Sequence, residues 1–468
     1  MQLNEFRYLL LFLPAVALAA YGLRRARRGQ WVPHLLLCAS VVFYVSNGWQ
    51  QLPVLLASIT FNWFIAQRLA STEPGTARRR LLQLGLGVNV AALIVFKVSP
   101  AMALPDTVSW LGGIGMPLGL SFFTIAQVMF LVDCYERLVP ARGLTEHATF
   151  VSYFPNITAG PILRTRLFYS QLDAAKSPAS EHDLAGKALF LIALGLVKKV
   201  VFGDSFAKIS GAGFGAVESL SALEAWITVL SATFEVYFDF SGYSDIALGS
   251  AQLLGMKLSR NFDAPFRSAT ISEFWKRWHI TLSDFITTYL YTPLLRRMGK
   301  VTLRKSAMAT LVAMIIAGVW HGFTWNFAIF GLLHGLALGG YQYWKRLKRP
   351  LPRPLDIVAT FLFVSVVFIT VKAASVAITI EMLSQLVSPL DPLSTAVLRG
   401  VIPTTDLRLI TAPVLLGVIL AFGQATSDRI ASASTPGLRR DLVTMLLFVV
   451  AHVFMGNGAG TDFRYRQF

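Results

Sequence analysis

The chain has 468 residues, 54% of them hydrophobic and only 14% charged, against about 25% charged in ordinary soluble domains. A globule of this composition lacks the polar surface to face water, so the chain is read as a single membrane-embedded domain, 1–468, covered by lipid. Its formal charge of +17, from 42 Lys and Arg against 25 Asp and Glu, lies beside apolar runs at 24–28, 78–80 and 345–349; this placement fits an anionic membrane leaflet and argues against a nucleic-acid partner.

In chain order, runs approaching the roughly 20 apolar residues of a spanning helix fall at 8–23, 31–44, 52–69, 81–96, 117–132, 187–202, 222–238, 307–319, 323–343, 356–377, 407–422 and 442–455. The predicted fold class is therefore all-α and polytopic, with about 11–12 spanning helices. Ala17-Leu18-Ala19 resembles a signal-peptide cleavage site, but the arginines at 24–28 follow the first apolar run instead of preceding it, so that run is read as an uncleaved span. The positive-inside rule puts the N-terminus outside and the basic stretches 24–28, 78–80, 133–142, 257–304 and 345–349 in the cytoplasm. The turn at His321-Gly322 then falls on the outer side. Cys38 and Cys134 are too few for a disulfide framework and wrongly spaced for zinc, and are expected to be small buried hydrophobes.

Two segments do not read as spans. Tyr153-Phe154-Pro155-Asn156-Ile157-Thr158-Ala159-Gly160-Pro161 must break a helix, yet its apolar residues place it at membrane depth, where irregular backbone survives only inside protein or beside a water-filled cavity. The stretch 273–294 mixes Trp275, Trp278, Tyr289 and Tyr291 with Lys276, Arg277 and Asp284, the pattern of an interfacial or re-entrant helix pair.

Ionisable groups in a membrane are costly and are functional candidates by default. Of seven histidines, His147 and His182 lie in polar loops, and His34 and His452 near span ends; these four are read as surface or packing residues. His321, in Ala317-Gly318-Val319-Trp320-His321-Gly322, stands in apolar surroundings with no formal charge near it in sequence. A neutral imidazole there suits a general base; the alternative is a histidine hydrogen-bonded to a neighbouring helix. His279, in Trp275-Lys276-Arg277-Trp278-His279, sits in an aromatic and basic setting that could bind an anionic group or simply form an interface belt. Glu273 and Arg277 can pair at i,i+4. His334 follows His321 by 13 residues; on one continuous helix that is about 20 Å and about 220° away, which separates the two and argues against a shared metal, so His334 reads as a supporting residue. In Tyr237-Phe238-Asp239-Phe240-Ser241-Gly242-Tyr243-Ser244-Asp245, Gly242 could end a helix and a Ser or Asp could cap the next.

Taken together, 153–161, 238–245, 261–265, 274–283 and 317–334, with the Phe-Leu-Pro opening and the tail ending in Gln467-Phe468, resemble the membrane-bound O-acyltransferase family, and within it the branch that O-acetylates alginate. The core motifs lie in 151–345. The resemblance implies helices around a central funnel, His321 as the catalytic histidine and His279 as the second functional one. Asp239, Tyr243, Asn326, Trp320, Trp278 and Arg277, with His334, are candidate orienting or substrate-binding residues. It implies no tightly bound cofactor and no metal, an acyl donor that is acetyl-CoA or an acyl-carrier thioester, and a bacterial inner-membrane location. Implied partners are membrane lipids, a polysaccharide acceptor, a periplasmic acyltransferase and a cytoplasmic donor or carrier protein. The chain departs from the branch at Asn156 and after Tyr289-Leu290-Tyr291, where Thr292-Pro293-Leu294-Leu295-Arg296-Arg297 follows. The alternatives are the D-alanyl-transferring branch that acts on teichoic acids, a membrane transporter, and a scaffold without activity.

Overall fold

The computed structural model describes residues 1–98, 115–174, 182–347, 352–389, 394–402, 404–423 and 425–455. The tail at Gln467-Phe468 and the end of the 345–349 basic cluster lie outside them. The described residues form helices and no strands, and divide into two compact units: Met1–Ile192 with Ile246–Ser259, and Ala193–Asp245 with Arg260–Phe468. Every apolar run singled out in the sequence falls on a helix. Five described segments, Arg7–Arg25, Trp49–Ser71, Thr76–Val98, Leu303–His321 and Arg353–Lys372, are long and apolar enough to cross a membrane.

The first unit contains α1 (Leu13–Arg25), α2 (Val32–Val45), α3 (Leu52–Ser71), α4 (Thr76–Val98), α5 (Leu120–Tyr135), α6 (Leu144–Ser152), α7 (Thr165–Ala174) and the start of α8 (His182–Leu196). Prolines at the first turns of α2 and α3 stand where a missing N–H costs nothing. The predicted break is present: α6 ends at Ser152 and α7 starts at Thr165, with Tyr153, Phe154, Ile157 and Ala159 buried between them. Phe154 packs on Tyr8, Phe12 and Phe43, so protein surrounds the irregular backbone as its depth requires. His147 is fully buried with its ring 4.2 Å from that of Phe130, a packing residue rather than a surface one. Cys134 is buried but Cys38 is exposed, against the expectation of two buried thiols; Cys38 lies between buried Leu36 and Ala39 on a helix whose other face carries the packing.

The second unit contains the end of α8, then α9 (Asp204–Gly215), most of α10 (Ala222–Leu253), α11 (Ile271–Arg277), α12 (Ile280–Phe285), α13 (Thr292–Arg297), α14 (Leu303–His321), α15 (Trp325–Trp344), α16 (Arg353–Lys372), α17 (Val376–Gln385), α18 (Ala396–Val401), α19 (Thr404–Ala421), α20 (Ser427–Ala433) and α21 (Leu438–Phe454). The 32-residue α10 is its longest element. Gly242 does not end that helix, contrary to the sequence reading. A Cβ there would stand 2.6 Å from the Gly195 carbonyl oxygen and 2.8 Å from the Lys199 amide nitrogen, so the glycine serves close approach of two backbones.

The carboxylates of α10 are not caps either. Asp239 pairs with Lys199 at 2.8 Å, and Lys199 also holds Asp204 at 2.7 Å, with Lys199 only 1% exposed. One turn earlier, Glu235 accepts hydrogen bonds from Lys372 of α16, at 2.6 Å, and from Ser210 of α9. Asp245 pairs with Lys198 at 2.7 Å. Glu224 accepts from the backbone amides of Ser221 and Leu398. Each charge is thus matched where water is excluded.

Lys199→Met would strand two buried carboxylates. We expect a loss of about 3–5 kcal/mol of stability, read as a lowered unfolding midpoint of the purified protein in detergent; an unchanged midpoint would show that the cluster does not hold the unit together.

Candidate active site

The α14–α15 hairpin carries His321. Its two helices meet through glycines: a Cβ on Gly318 would stand 2.3 Å from the Phe327 carbonyl oxygen, and one on Gly331 2.4 Å from that of Met314. Only glycine permits this spacing. His321 is the last residue of α14, and the chain turns through Gly322 to Thr324 before α15 starts at Trp325. The imidazole is 9% exposed. Its ring lies 4.7 Å from Trp320, 6.2 Å from Phe327 and 6.4 Å from Phe330, centroid to centroid.

The turn overturns the argument that separated His321 from His334. The two lie on opposite arms of the hairpin, not on one helix, and both face Phe330: His334 is 4.6 Å from that ring. His334 is fully buried, and its Nδ1 accepts a hydrogen bond from Trp275 Nε1 at 3.3 Å. That bond ties it to Trp275 of α11. Among the described residues no three His, Cys, Asp or Glu side chains group closely enough to hold a metal.

His279 is not inside a helix. The predicted helix pair is present as α11 and a second run beginning with α12, and His279 is the joint between them, at φ +43° and ψ +53°. A non-glycine residue in this left-handed region is costly and persists only when its surroundings hold it. Here a neighbouring loop does so on both sides. The Asp263 amide donates to the Arg277 carbonyl at 2.9 Å, and the Ile280 amide donates to the Asn261 carbonyl at 2.9 Å. The Asn261 side chain reinforces the clamp, accepting from Thr281 Oγ1 at 2.6 Å and donating to Ser244 Oγ of α10 at 3.3 Å. Behind the joint, the amides of Leu282 and Ser283 donate to the His279 carbonyl. The imidazole is 1% exposed and packs edge-on against Phe240, 4.7 Å away. It lies outside the five segments suited to crossing a membrane. Burial and then the nearby charge of His321 hold its pKa well below the ordinary histidine range, so it is neutral at pH 7.

The remaining candidates divide. Trp278 is buried between Phe274 and Phe368, and Trp320 flanks His321. Arg277 makes the predicted pair with Glu273 at 2.8 Å and also donates to the Asp263 carbonyl, which ties it to the clamp. Asp239 is engaged by Lys199, and Tyr243 is buried one turn further along α10. Asn326 donates to the Ala373 carbonyl at 2.8 Å, fastening the start of α15 to the end of α16. The clamp residues Asn261, Thr281 and Ser244 went unassigned in the sequence; polar side chains in an otherwise aromatic stretch were the available signal. Beside the joint, a cavity of about 440 Å³ is lined by Trp275, Lys276, Ile280, Ser283, Asp284, Tyr291, Tyr341 and Gln342, among others.

The description "MBOAT, membrane-bound O-acyltransferase family" matches residues 92–376, which include all of these elements from α11 to α16. The chain is similar to a peptidoglycan O-acetyltransferase of Helicobacter pylori, 32% identical over 420 residues that span 82% of this chain and 79% of that protein. It is similar to the probable alginate O-acetylase AlgI of Azotobacter vinelandii, 33% identical over 400 residues, 81% of this chain and 77% of the relative. It also resembles a teichoic acid D-alanyltransferase of Streptococcus thermophilus, 30% identical over 272 residues, 56% of this chain and 63% of the relative.

The depressed pKa gives a direct test. In the ¹⁵N-histidine NMR spectrum, the signal lost in His279→Gln should stay at its neutral position from about pH 7.5 to about pH 5.5, through the ordinary histidine pKa. His321→Ala should raise its titration point, because the repulsion between a proton on one imidazole and a proton on the other is removed. Titration near pH 6.5 in the unaltered protein would contradict the reading.

Proposed function

Since the chain belongs to the membrane-bound O-acyltransferase family and is a multi-pass membrane O-acyltransferase, we propose that it transfers an acetyl group from a cytoplasmic thioester to hydroxyls of an extracytoplasmic polysaccharide, directly or through a periplasmic acyltransferase partner. The observation that carries this reading is the pair of buried histidines on rigid supports, His321 at the end of α14 and His279 at the strained joint. The O-acetylating relatives supply the acyl group and the class of acceptor.

In the proposed step, a ring nitrogen of His321 takes the proton of the acceptor hydroxyl as its oxygen attacks the thioester carbonyl. The C–O bond forms, the C–S bond breaks, and the proton passes to the departing thiolate. Positioned general-base help of this kind contributes about 10²–10⁴-fold. His279, neutral at pH 7, can donate or accept one hydrogen bond at the donor or relay that proton. Trp320 flanks the His321 ring and Phe240 the His279 ring; Trp278, Arg277, Asp239, Asn326 and His334 hold the supporting elements. The cavity beside the joint suits the arm of an acetyl-CoA or acyl-carrier donor, with Lys276 available to its phosphate and Tyr291, Ser283 and Gln342 to its amides. No resident cofactor is needed by this chemistry. The basic clusters support an inner-membrane topology with α11–α13 facing the cytoplasm. The similarity to a D-alanyltransferase favours one second reading, D-alanyl transfer at the same histidines.

His321→Ala should abolish glycan acetylation in cells while the variant still inserts in the membrane at normal abundance. His279→Ala should lower acetylation by about 10²-fold or more. Normal acetylation in the His321 variant would overturn the catalytic assignment; loss of D-alanyl in place of acetyl esters would decide for the second reading.

A further inference from the structure

A second groove, of about 500 Å³, runs between α15 and α16 on the side away from His321 in sequence. Ala337, Tyr341, Trp344 and Lys345 line one wall, Asp356, Ala359, Thr360 and Phe363 the other, and Ala269, Thr270 and Ile271 at the start of α11 complete the lining. The positions on the two walls fall at spacings of three and four, so each helix gives a single face to the groove. The walls are graded by depth. Lys345 immediately follows α15, and Asp356 lies in the first turn of α16, so both stand at the mouth. Ala337 and Phe363 lie seven or eight residues further along their helices, about 10–12 Å deeper. The mouth is polar and aromatic, and the depth is apolar. Exposed Lys345, Arg346 and Arg353 stand at this end of the hairpin against the single carboxylate of Asp356, leaving a net positive mouth. One wall, α16, is a segment suited to crossing a membrane.

We infer that this groove is a binding site for one anionic phospholipid with a hydroxyl-bearing headgroup, of the phosphatidylglycerol type. The phosphodiester meets Lys345 and Arg346, Asp356 accepts from a headgroup hydroxyl, Trp344 and Tyr341 sit at the ester level, and the upper acyl chain lies along Ala337, Ala359 and Phe363. Interfacial aromatics and basic residues favour this arrangement at a bilayer surface. Charge complementarity selects the anionic lipid, and the depth of the apolar wall selects a lipid over a free phosphate.

Trp344 provides the readout. Full-length protein in detergent is titrated with dibrominated phosphatidylglycerol, phosphatidic acid or phosphatidylcholine, and the component of tryptophan quenching that disappears in Trp344→Phe is followed. Phosphatidylglycerol should quench this component at about fivefold lower mole fraction than phosphatidylcholine. Lys345→Gln should reduce that preference, and Lys345→Glu with Arg346→Glu should abolish it while phosphatidylcholine still quenches, which shows the groove intact. Should the double variant not fold, Lys345→Gln alone decides. Asp356→Asn should bring phosphatidylglycerol down to phosphatidic acid. Equal quenching by phosphatidylglycerol and phosphatidylcholine in the unaltered protein, or a preference that survives Lys345→Gln, would overturn the site; indifference to Asp356→Asn would overturn the hydroxyl-bearing headgroup.

Discussion

A carboxylate in an apolar interior must find a cation or hydrogen-bond donors, or give up its charge, and α10 places four of them there, with Glu224 answered by backbone amides. Glu235, Asp239 and Asp245 are answered by Lys372, Lys199 and Lys198, from α16 and from the segment that joins α8 to α9. Removing one partner costs far more than the pair gains over an apolar substitute, so these contacts act less as added stability than as a specification of which helices lie against α10. The site stands on that arrangement: Phe240, next to Asp239, backs His279, and Ser244, next to Asp245, holds the loop that clamps it.

The two histidines are fixed by different means. His321 is placed by backbone approach, because Gly318 and Gly331 let α14 and α15 close up until their end residues share one aromatic wall. His279 is placed by hydrogen bonds that hold a left-handed joint in position from either side. The first device sets a separation between helices; the second stores strain at a single residue, where it orients the ring without a flexible loop. Catalytic groups on such supports lose little on reaching a reactive geometry.

Much of this was written locally. The apolar runs fixed where helices form, because a bilayer demands apolar length and closed backbone hydrogen bonding. The break at 153–161, with Pro155, Gly160 and Pro161, is legible in the sequence, as is the Glu273–Arg277 pair, since both depend on near neighbours in the chain. The motifs around His279 and His321 pointed to the family before any coordinates.

Three things were not local. Gly242 read as a helix end because its φ freedom is visible in sequence, whereas the backbone it packs against, 43–47 residues earlier, is not. The polar group at 239–245 reads as capping because capping uses adjacent residues, while the lysines that pair with Asp239 and Asp245 come from outside α10. His321 and His334 are far apart only if they share one straight helix, and Gly322 to Thr324 turn the chain back instead. The sequence by itself determined which segments are helical and which residue types carry the chemistry, because these follow from hydropathy, proline and the ordering of motifs. Only the tertiary structure decided which charges neutralise one another and how His321 and His334 come to share the Phe330 ring, because those outcomes depend on contacts between residues that chain spacing does not relate.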